Sequence, residues 1–219
     1  MSARAARVVA ARVVALCAIA SVVACVPRLS PLSGAPVPND RLPRSTVPTG
    51  HHKIVFTWEL DDRDMSGRGD GVARVAWPDS ARLDFFLAGG FGSGAAILIG
   101  DSLQAPGPDL IRRIVPPPPL LWAALGRVAL PNVRDTVIRV QDSTLRADVG
   151  QPVAWRLTFR GDTLVRAERV DGNRVLEWVE RSGTHIRYRN ETSRRSLALT
   201  ITRMDEVSDF DASTWRFDR

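Results

Sequence analysis

Residues 54–60 read IVFTWEL, and their side chains alternate in character. Large apolar residues occupy every second position, and Thr57 and Glu59 lie between them. Successive side chains of a β-strand point to opposite faces, so this pattern predicts a strand with one buried face. The same rhythm returns around 73–77, 83–87, 95–99, 153–159, 164–170, 175–180, 186–188 and 197–201. We therefore predict nine to eleven strands.

The connections between these segments are short and rich in turn residues. Gly161-Asp162 and Asp171-Gly172-Asn173 each separate two alternating segments. Connections of this length join neighbouring antiparallel strands. No internal repeat is evident, and we predict a mainly β fold built on a twisted antiparallel sheet.

One region interrupts the alternation with a helical pattern. Asp109 is a suitable N-cap for a short helix through Val115, and a run of four prolines follows. Pro119 suits the first turn of a second helix, and Gly126 suits its end. Residues 120–125 between them, LLWAAL, have no polar face, so this helix is buried or touches lipid. We predict that it packs across the concave face of the sheet as a lid.

The N-terminus has the features of a secretory signal. Three arginines precede an apolar run that ends in Val22-Val23-Ala24-Cys25. This ending resembles the lipobox of bacterial lipoproteins, which implies that residues 1–24 are removed and that Cys25 becomes the acylated N-terminus. The alternative is a core cysteine after an apolar stretch. The other cysteine, Cys17, lies inside the signal, so the mature domain is expected to have no disulfide.

A proline-rich segment follows the predicted anchor. Residues 26–50 contain six prolines and little apolar periodicity, which is typical of an extended tether with a reach of roughly 70 Å. We assign residues 25–50 to the lipidated cysteine and its tether, and residues 51–219 to one domain. Val26 replaces the aspartate that retains lipoproteins at the inner membrane in the class resembled, and it favours the periplasmic face of the outer membrane.

Composition argues against nucleic-acid binding. The formal net charge is +6, and removal of the three arginines within residues 1–24 lowers it to +3. No basic run with interleaved aromatic residues is present. Mild attraction to anionic lipid remains compatible with this charge.

Residues that suggest an enzyme lack the partners that catalysis needs. His51 and His52 are adjacent on a predicted strand and therefore point to opposite faces. The acidic turn at 61–64 is expected to be solvated. For His185, the sequence does not identify a catalytic partner. The GFGSGA sequence around Ser93 lacks the G-x-S-x-G spacing of a nucleophile elbow. We expect no enzymatic activity, no metal site and no cofactor.

Three stretches together resemble a known family. They are ARLDFFLAGGFGSGAAILIGDS at 81–102, IVPPPPLLWAALGRVALP at 114–131 and SRRSLALTITRMD at 193–205. Their order and spacing resemble the LolB family of outer-membrane lipoprotein receptors and, more loosely, the soluble LolA carriers. The resemblance implies a half-open antiparallel β-barrel whose hydrophobic interior is closed by a short helical lid. Two departures are a longer 139–188 stretch and an unfamiliar DFDASTWRFD tail at 209–218.

The resemblance also implies a function. In this family the interior shelters the acyl chains of lipoproteins, which a monomeric receptor accepts from a LolA-like periplasmic carrier and inserts into the outer membrane. Alternative functions are carriage of another envelope lipid and a structural role with a filled core. Each residue expected to line the interior could equally belong to an ordinary filled core. The residues expected to line the interior are Phe56, Trp58, Trp77, Leu83, Phe85, Leu121, Trp122, Leu125, Trp155, Leu157 and Phe159.

The glycine cluster in LAGGFGSGAAILIG, residues 87–100, has two readings. A phosphate loop needs a following helix and usually a lysine, whereas AAILIG reads as a strand. Glycines on both sides of Phe91 instead favour a tight hairpin turn with Phe91 at its tip. In the family resembled, an apolar residue at this tip helps to pass the lipoprotein into the bilayer. The alternative is an incidental aromatic residue.

Overall fold

The computed structural model describes residues 26–43, 49–90, 92–107, 109–131 and 135–217. The signal at 1–24, the anchor Cys25 and the tip residue Phe91 lie outside the described residues.

Thirteen strands form one sheet in which every pairing is antiparallel. The sheet order is β1-β7-β8-β9-β10-β11-β12-β13-β2-β3-β4-β5-β6. The strands are β1 Ala35–Val37, β2 His51–Asp61, β3 Ser66–Ala76, β4 Ser80–Leu87, β5 Ser93–Ile99, β6 Ser102–Gln104, β7 Thr136–Gln141, β8 Thr144–Val149, β9 Trp155–Arg160, β10 Thr163–Asp171, β11 Arg174–Ser182, β12 His185–Asn190 and β13 Arg195–Val207. The α-helices are α1 Asp109–Ile114 and α2 Pro118–Ala124, and two 3-10 turns span Asn39–Arg41 and Ala212–Trp215.

The sheet is curved but open. Its edge strands β1 and β6 have three residues each, and within the described part of the chain they do not pair with each other. The predicted class, a half-open antiparallel barrel with a short helical lid, is confirmed. The strand count exceeds the predicted nine to eleven because β1 and β6 are too short to show a period of two. The β7–β8 hairpin escaped notice because arginines interrupt its apolar alternation.

Residues 54–60 belong to β2, an interior strand of the sheet. β2 pairs with β13 on one side and with β3 on the other, and its buried residues are those that the alternation predicted. The ring of Phe56 lies where a Cβ on Gly71 of β3 would stand. A glycine is therefore required at this position, because any side chain there would displace the ring.

The N-terminal segment is docked on the sheet rather than extended away from it. The Leu29 amide donates to the carbonyl oxygen of Asn173 at 2.7 Å, and the Val175 amide donates to that of Pro27 at 2.9 Å. Further along, β1 pairs with β7 at the edge of the sheet. The predicted free tether is therefore wrong for residues 27–37, because backbone pairing fixes them in spite of their prolines.

The unfamiliar C-terminal tail packs against the outer face of the sheet. Phe210 lies between His51 and Trp215, with ring centroids 5.7 and 5.8 Å away. The Arg82 side chain of β4 donates to the carbonyl oxygen of Thr214 at 3.2 Å. Of the helices in the described ranges, none is long and apolar enough to cross a membrane.

Candidate functional site

The two α-helices cover the concave face of the sheet, as the sequence predicted for the lid. α2 lies against β10, β11 and β12, and α1 lies against β5. Residues 120–124 of α2 are all buried, because the helix has sheet on one side and flanking loops on the others. We refer to α1 and α2 together as the lid.

A few specific contacts hold the lid in place. Ile111 of α1 packs so closely on Gly94 of β5 that a Cβ on this glycine would overlap its side chain. The indole nitrogen of Trp122 donates to the carbonyl oxygen of Gly100 at 2.7 Å. The guanidinium of Arg127 lies 4.7 Å from the Trp122 ring centroid. The lid is thus attached by side-chain contacts at the β5 side of the sheet.

Most residues predicted to line the interior do face it. Nine of them belong to the buried core, and Leu125 packs against that core from its edge. The nine are Phe56, Trp58, Leu83, Phe85, Leu121, Trp122, Trp155, Leu157 and Phe159.

Trp77 is the exception, because 56% of its surface is exposed. Alternation from Ala73 and Val75 pointed it inward, but β3 ends at Ala76 and the chain turns there. The prediction of an interior Trp77 is therefore wrong.

The interior is filled in this state. Between the sheet and the lid, the described residues enclose a cavity of about 10 Å³, which is room for about one water molecule. Its wall is apolar and includes Leu83, Phe85, Leu121 and Leu199. The side chains of α2 occupy the space that the family resemblance assigns to acyl chains, so a ligand could enter only if the lid moved.

Sequence reasoning missed a buried polar cluster on the inner face. Only 4% of Glu177 of β11 is exposed. Its carboxylate accepts hydrogen bonds from the Asn190 amide and from the Tyr188 hydroxyl, the latter at 3.3 Å, and it lies 3.1 Å from Nε of Arg169. A signal was present, because Glu177 has the same phase as the buried residues Val175 and Val179.

The cluster changes the acidity of the one tyrosine in the chain. Burial, together with the nearby negative charge of Glu177, raises the pKa of Tyr188 to about 12. Arg195 of β13 lies at the same end of the interior and donates to the carbonyl oxygen of Arg113 in α1. The polar cluster is therefore linked to the lid through one arginine.

The residues that suggested enzyme or metal chemistry make structural contacts. Nε2 of His52 lies 3.2 Å from the Thr49 carbonyl oxygen, and Nε2 of His51 lies 3.3 Å from an Asp209 carboxylate oxygen. Nδ1 of His185 lies 3.2 Å from the Thr200 hydroxyl. Within the described ranges, no three of His, Cys, Asp and Glu are grouped as a metal site would require.

A larger concavity lies on the outer face, away from the predicted interior. Its volume is about 810 Å³, and it lies between β3–β5 and the C-terminal tail. Asp84 at its floor pairs with Arg74 and with Arg82, whose Nε is 3.0 Å away. The three charged side chains pair with one another, and Arg82 also holds the C-terminal tail. We therefore interpret the groove as a structural feature.

No family model matches the chain, and no curated protein sequence matches it. Solved structures with a similar backbone include a LolA superfamily protein from Nitrosomonas europaea, at 12% identity and a TM-score of 0.49 over 81% of this chain and 95% of that one. A domain named for outer membrane lipoprotein sorting, from Vibrio parahaemolyticus, has 9% identity and a TM-score of 0.48 over 76% and 89%. A DUF1329 family protein from Desulfovibrio piger has 6% identity and a TM-score of 0.47 over 81% and 92%.

Proposed function

We propose that the protein is a lipid-anchored carrier of the bacterial envelope that binds acyl chains between its sheet and its lid. Burial of each methylene group contributes about 0.8 kcal/mol, so a long chain supplies enough free energy to displace part of the lid. No covalent chemistry is involved. The expected location is the periplasmic face of the outer membrane.

The main support for the proposal is the way in which the lid covers the apolar interior of the sheet. The cover is two short helices of six and seven residues, and the second has no polar face of its own. Trp122 and Ile111 attach it to the β5 side through individual side-chain contacts. A cover of this kind can swing away without breaking any strand pairing in the sheet.

The membrane-related parts of the proposal come from the sequence. Acylated Cys25 anchors the protein, and Phe91, on the turn between β4 and β5, enters the lipid surface while cargo leaves. The preferred cargo is the acylated N-terminus of a lipoprotein, delivered by a LolA-like donor. The protein acts as a monomer.

A second candidate is a structural lipoprotein without a ligand. The filled interior favours it, because the remaining cavity of about 10 Å³ cannot hold an acyl chain while the lid is closed. The two candidates differ in a measurable property, which is reversible binding of an acyl chain.

The deciding experiment is titration of the purified protein with a fluorescent palmitate analogue, followed by competition with a triacylated lipopeptide and with the same peptide lacking acyl chains. We expect saturable binding that only the acylated peptide reverses. Replacement Leu83→Gln places an amide against the apolar wall, which costs about 1–3 kcal/mol and weakens binding about tenfold.

Phe86→Gln is the matched control, because Phe86 lies three residues after Leu83 on β4, points outward and is 46% exposed. Its affinity should equal that of the unaltered protein, with thermal unfolding recorded for both variants. Absence of binding in the folded, unaltered protein would reject the carrier and leave the structural role.

A further inference from the structure

The N-terminal segment is tied to the sheet almost as far as the proposed anchor. Arg28 forms an antiparallel bridge with Arg174, and backbone hydrogen bonds flank it on both sides. The Arg156 side chain donates to the Ser30 carbonyl oxygen at 2.6 Å. Arg156 is 7% exposed and is held by both carboxylate oxygens of Asp148, at 2.6 and 2.8 Å. The segment is therefore docked on a fixed arginine.

The docking point lies at one particular end of the sheet. Because all strands are antiparallel, alternate turns lie at the same end, and the β10–β11 turn, whose Asn173 binds Leu29, is one of them. We call this end the anchor rim. Its described residues are 62–65, 88–90, 92, 150–154, 172–173 and 191–194, which belong to five turns.

Little chain separates the docked residues from the lipid. Cys25 precedes Pro27 by two residues, which span at most about 7 Å. The headgroup layer on each side of a bilayer is itself about 5–8 Å thick. Because Pro27 lies beside Val175, the start of β11 must lie near the headgroups if the acyl chains on Cys25 lie in the hydrocarbon.

We infer that the anchor rim is the surface that rests on the lipid bilayer, and that the docked N-terminal segment sets this orientation. The inference rests on the proposed acylation of Cys25. The rim also carries the β4–β5 turn, which has no charged residue between Leu87 and Ala95 and therefore suits contact with lipid. The proposed tip residue and the anchor thus approach the membrane from the same end of the molecule.

The test uses the acylated full-length protein in phosphatidylcholine vesicles that contain a nitroxide-labelled lipid. Asn173→Cys and Thr184→Cys place a fluorophore at opposite ends of β11, about 30 Å apart along the strand. Each labelled position is the only free thiol, because Cys17 leaves with the signal and Cys25 is blocked. We expect lipid quenching to be several-fold stronger at residue 173.

A second variant lengthens the chain between the anchor and the docked residues without changing the domain. Ten Gly and Ser residues inserted between Val26 and Pro27 should abolish the difference between the two probes. Equal quenching in the parent would overturn the inference, and a difference that survives the insertion would overturn the role of the docked segment in setting the orientation; both outcomes leave acyl-chain binding intact. Mass spectrometry of the N-terminal peptide accompanies the test, and an unmodified Cys25 would overturn both the inference and the proposed anchor.

Discussion

The inner face of the sheet has two halves with different chemistry. The aromatic half comprises Phe56 and Trp58 of β2 with Phe85 of β4. The lid half comprises the inner faces of β10–β13, where α2 lies and where Glu177 is buried. The lid half combines the cover by α2 with the buried Glu177 side chain.

The aromatic half is built as a permanent core. The Phe85 ring meets Phe56 and Trp58 edge-on, with centroids 5.8 and 6.0 Å apart. The indole nitrogen of Trp58 donates to the Asp70 carbonyl oxygen at 2.9 Å, so its one polar atom is satisfied. The absence of a side chain at Gly71 lets the Phe56 ring lie directly on the backbone. Opening this half would expose apolar surface without any compensation from hydration.

Opening the lid half is expected to cost less free energy than opening the aromatic half. Glu177 and Tyr188 lose hydration when the lid is closed, and water would solvate them again when it moves. Their solvation offsets part of the cost of exposing the apolar side of α2. The proposed opening is therefore expected in the lid half.

The largest effect is expected in the aromatic half. Phe56→Ala removes a ring that is 3% exposed, and it should lower the free energy of unfolding by about 3–5 kcal/mol. Urea unfolding followed by tryptophan fluorescence measures this loss. The control is Met204→Ala, at an apolar residue that is 49% exposed, where we expect a change within about 0.5 kcal/mol. A loss below 1 kcal/mol for Phe56→Ala would show that this half is not rigidly packed.

An intermediate effect is expected where the lid meets β5. Gly94→Val places a branched side chain against Ile111, so α1 must shift, at a cost of about 1–3 kcal/mol. Because the lid is already displaced in this variant, binding of the fluorescent palmitate should be faster than in the unaltered protein. Stopped-flow fluorescence measures the rate.

The matched control restores space at the same contact. In Gly94→Ala with Ile111→Ala, the added methyl group is offset by a shorter partner, so the lid should close and the slow association should return. If Gly94→Val slowed uptake instead, the acyl chain would have to enter by a route that avoids α1.

Alternation along the chain was enough to predict the aromatic half. The phase of Phe56, Trp58 and Phe85 follows from the neighbours of each residue on its own strand, and no distant contact is needed to assign it. The apolar character of α2 likewise predicted a buried lid. Trp77 shows the limit of this reasoning, because alternation does not reveal the residue at which a strand ends.

Features that depend on distant partners were not predictable. Ser30 docks on Arg156, 126 positions later, and nothing local in a proline-rich stretch indicates such a partner. Glu177 was in phase with apolar neighbours, but its burial depends on Asn190 and Arg169 from two adjacent strands. The degree to which the interior is filled depends on how closely α2 approaches the sheet, which sequence periodicity does not determine.

The last effect concerns the acidity of Tyr188, which matters only above pH 10, and it tests whether the lid half is dry. An unfolded tyrosine ionises near pH 10, whereas the folded protein keeps Tyr188 protonated to about pH 12. Between these values the unfolded state binds fewer protons, so the free energy of unfolding should fall as the pH rises from 10 to 12, and no effect of this residue is expected below pH 10. Because Tyr188 is the only tyrosine, tyrosinate absorbance reports its pKa directly.

Variants separate the two causes of this shift and connect it to the lid. Glu177→Gln removes the nearby negative charge but keeps the burial, so the pKa should fall while remaining above 10. Gly94→Val, which displaces the lid, should bring the pKa closer to 10 because water reaches the hydroxyl. Tyr188→Phe should abolish this part of the pH dependence of stability. A pKa near 10 in the unaltered, folded protein would mean that water already fills the lid half, and the contrast between the two halves would then be lost.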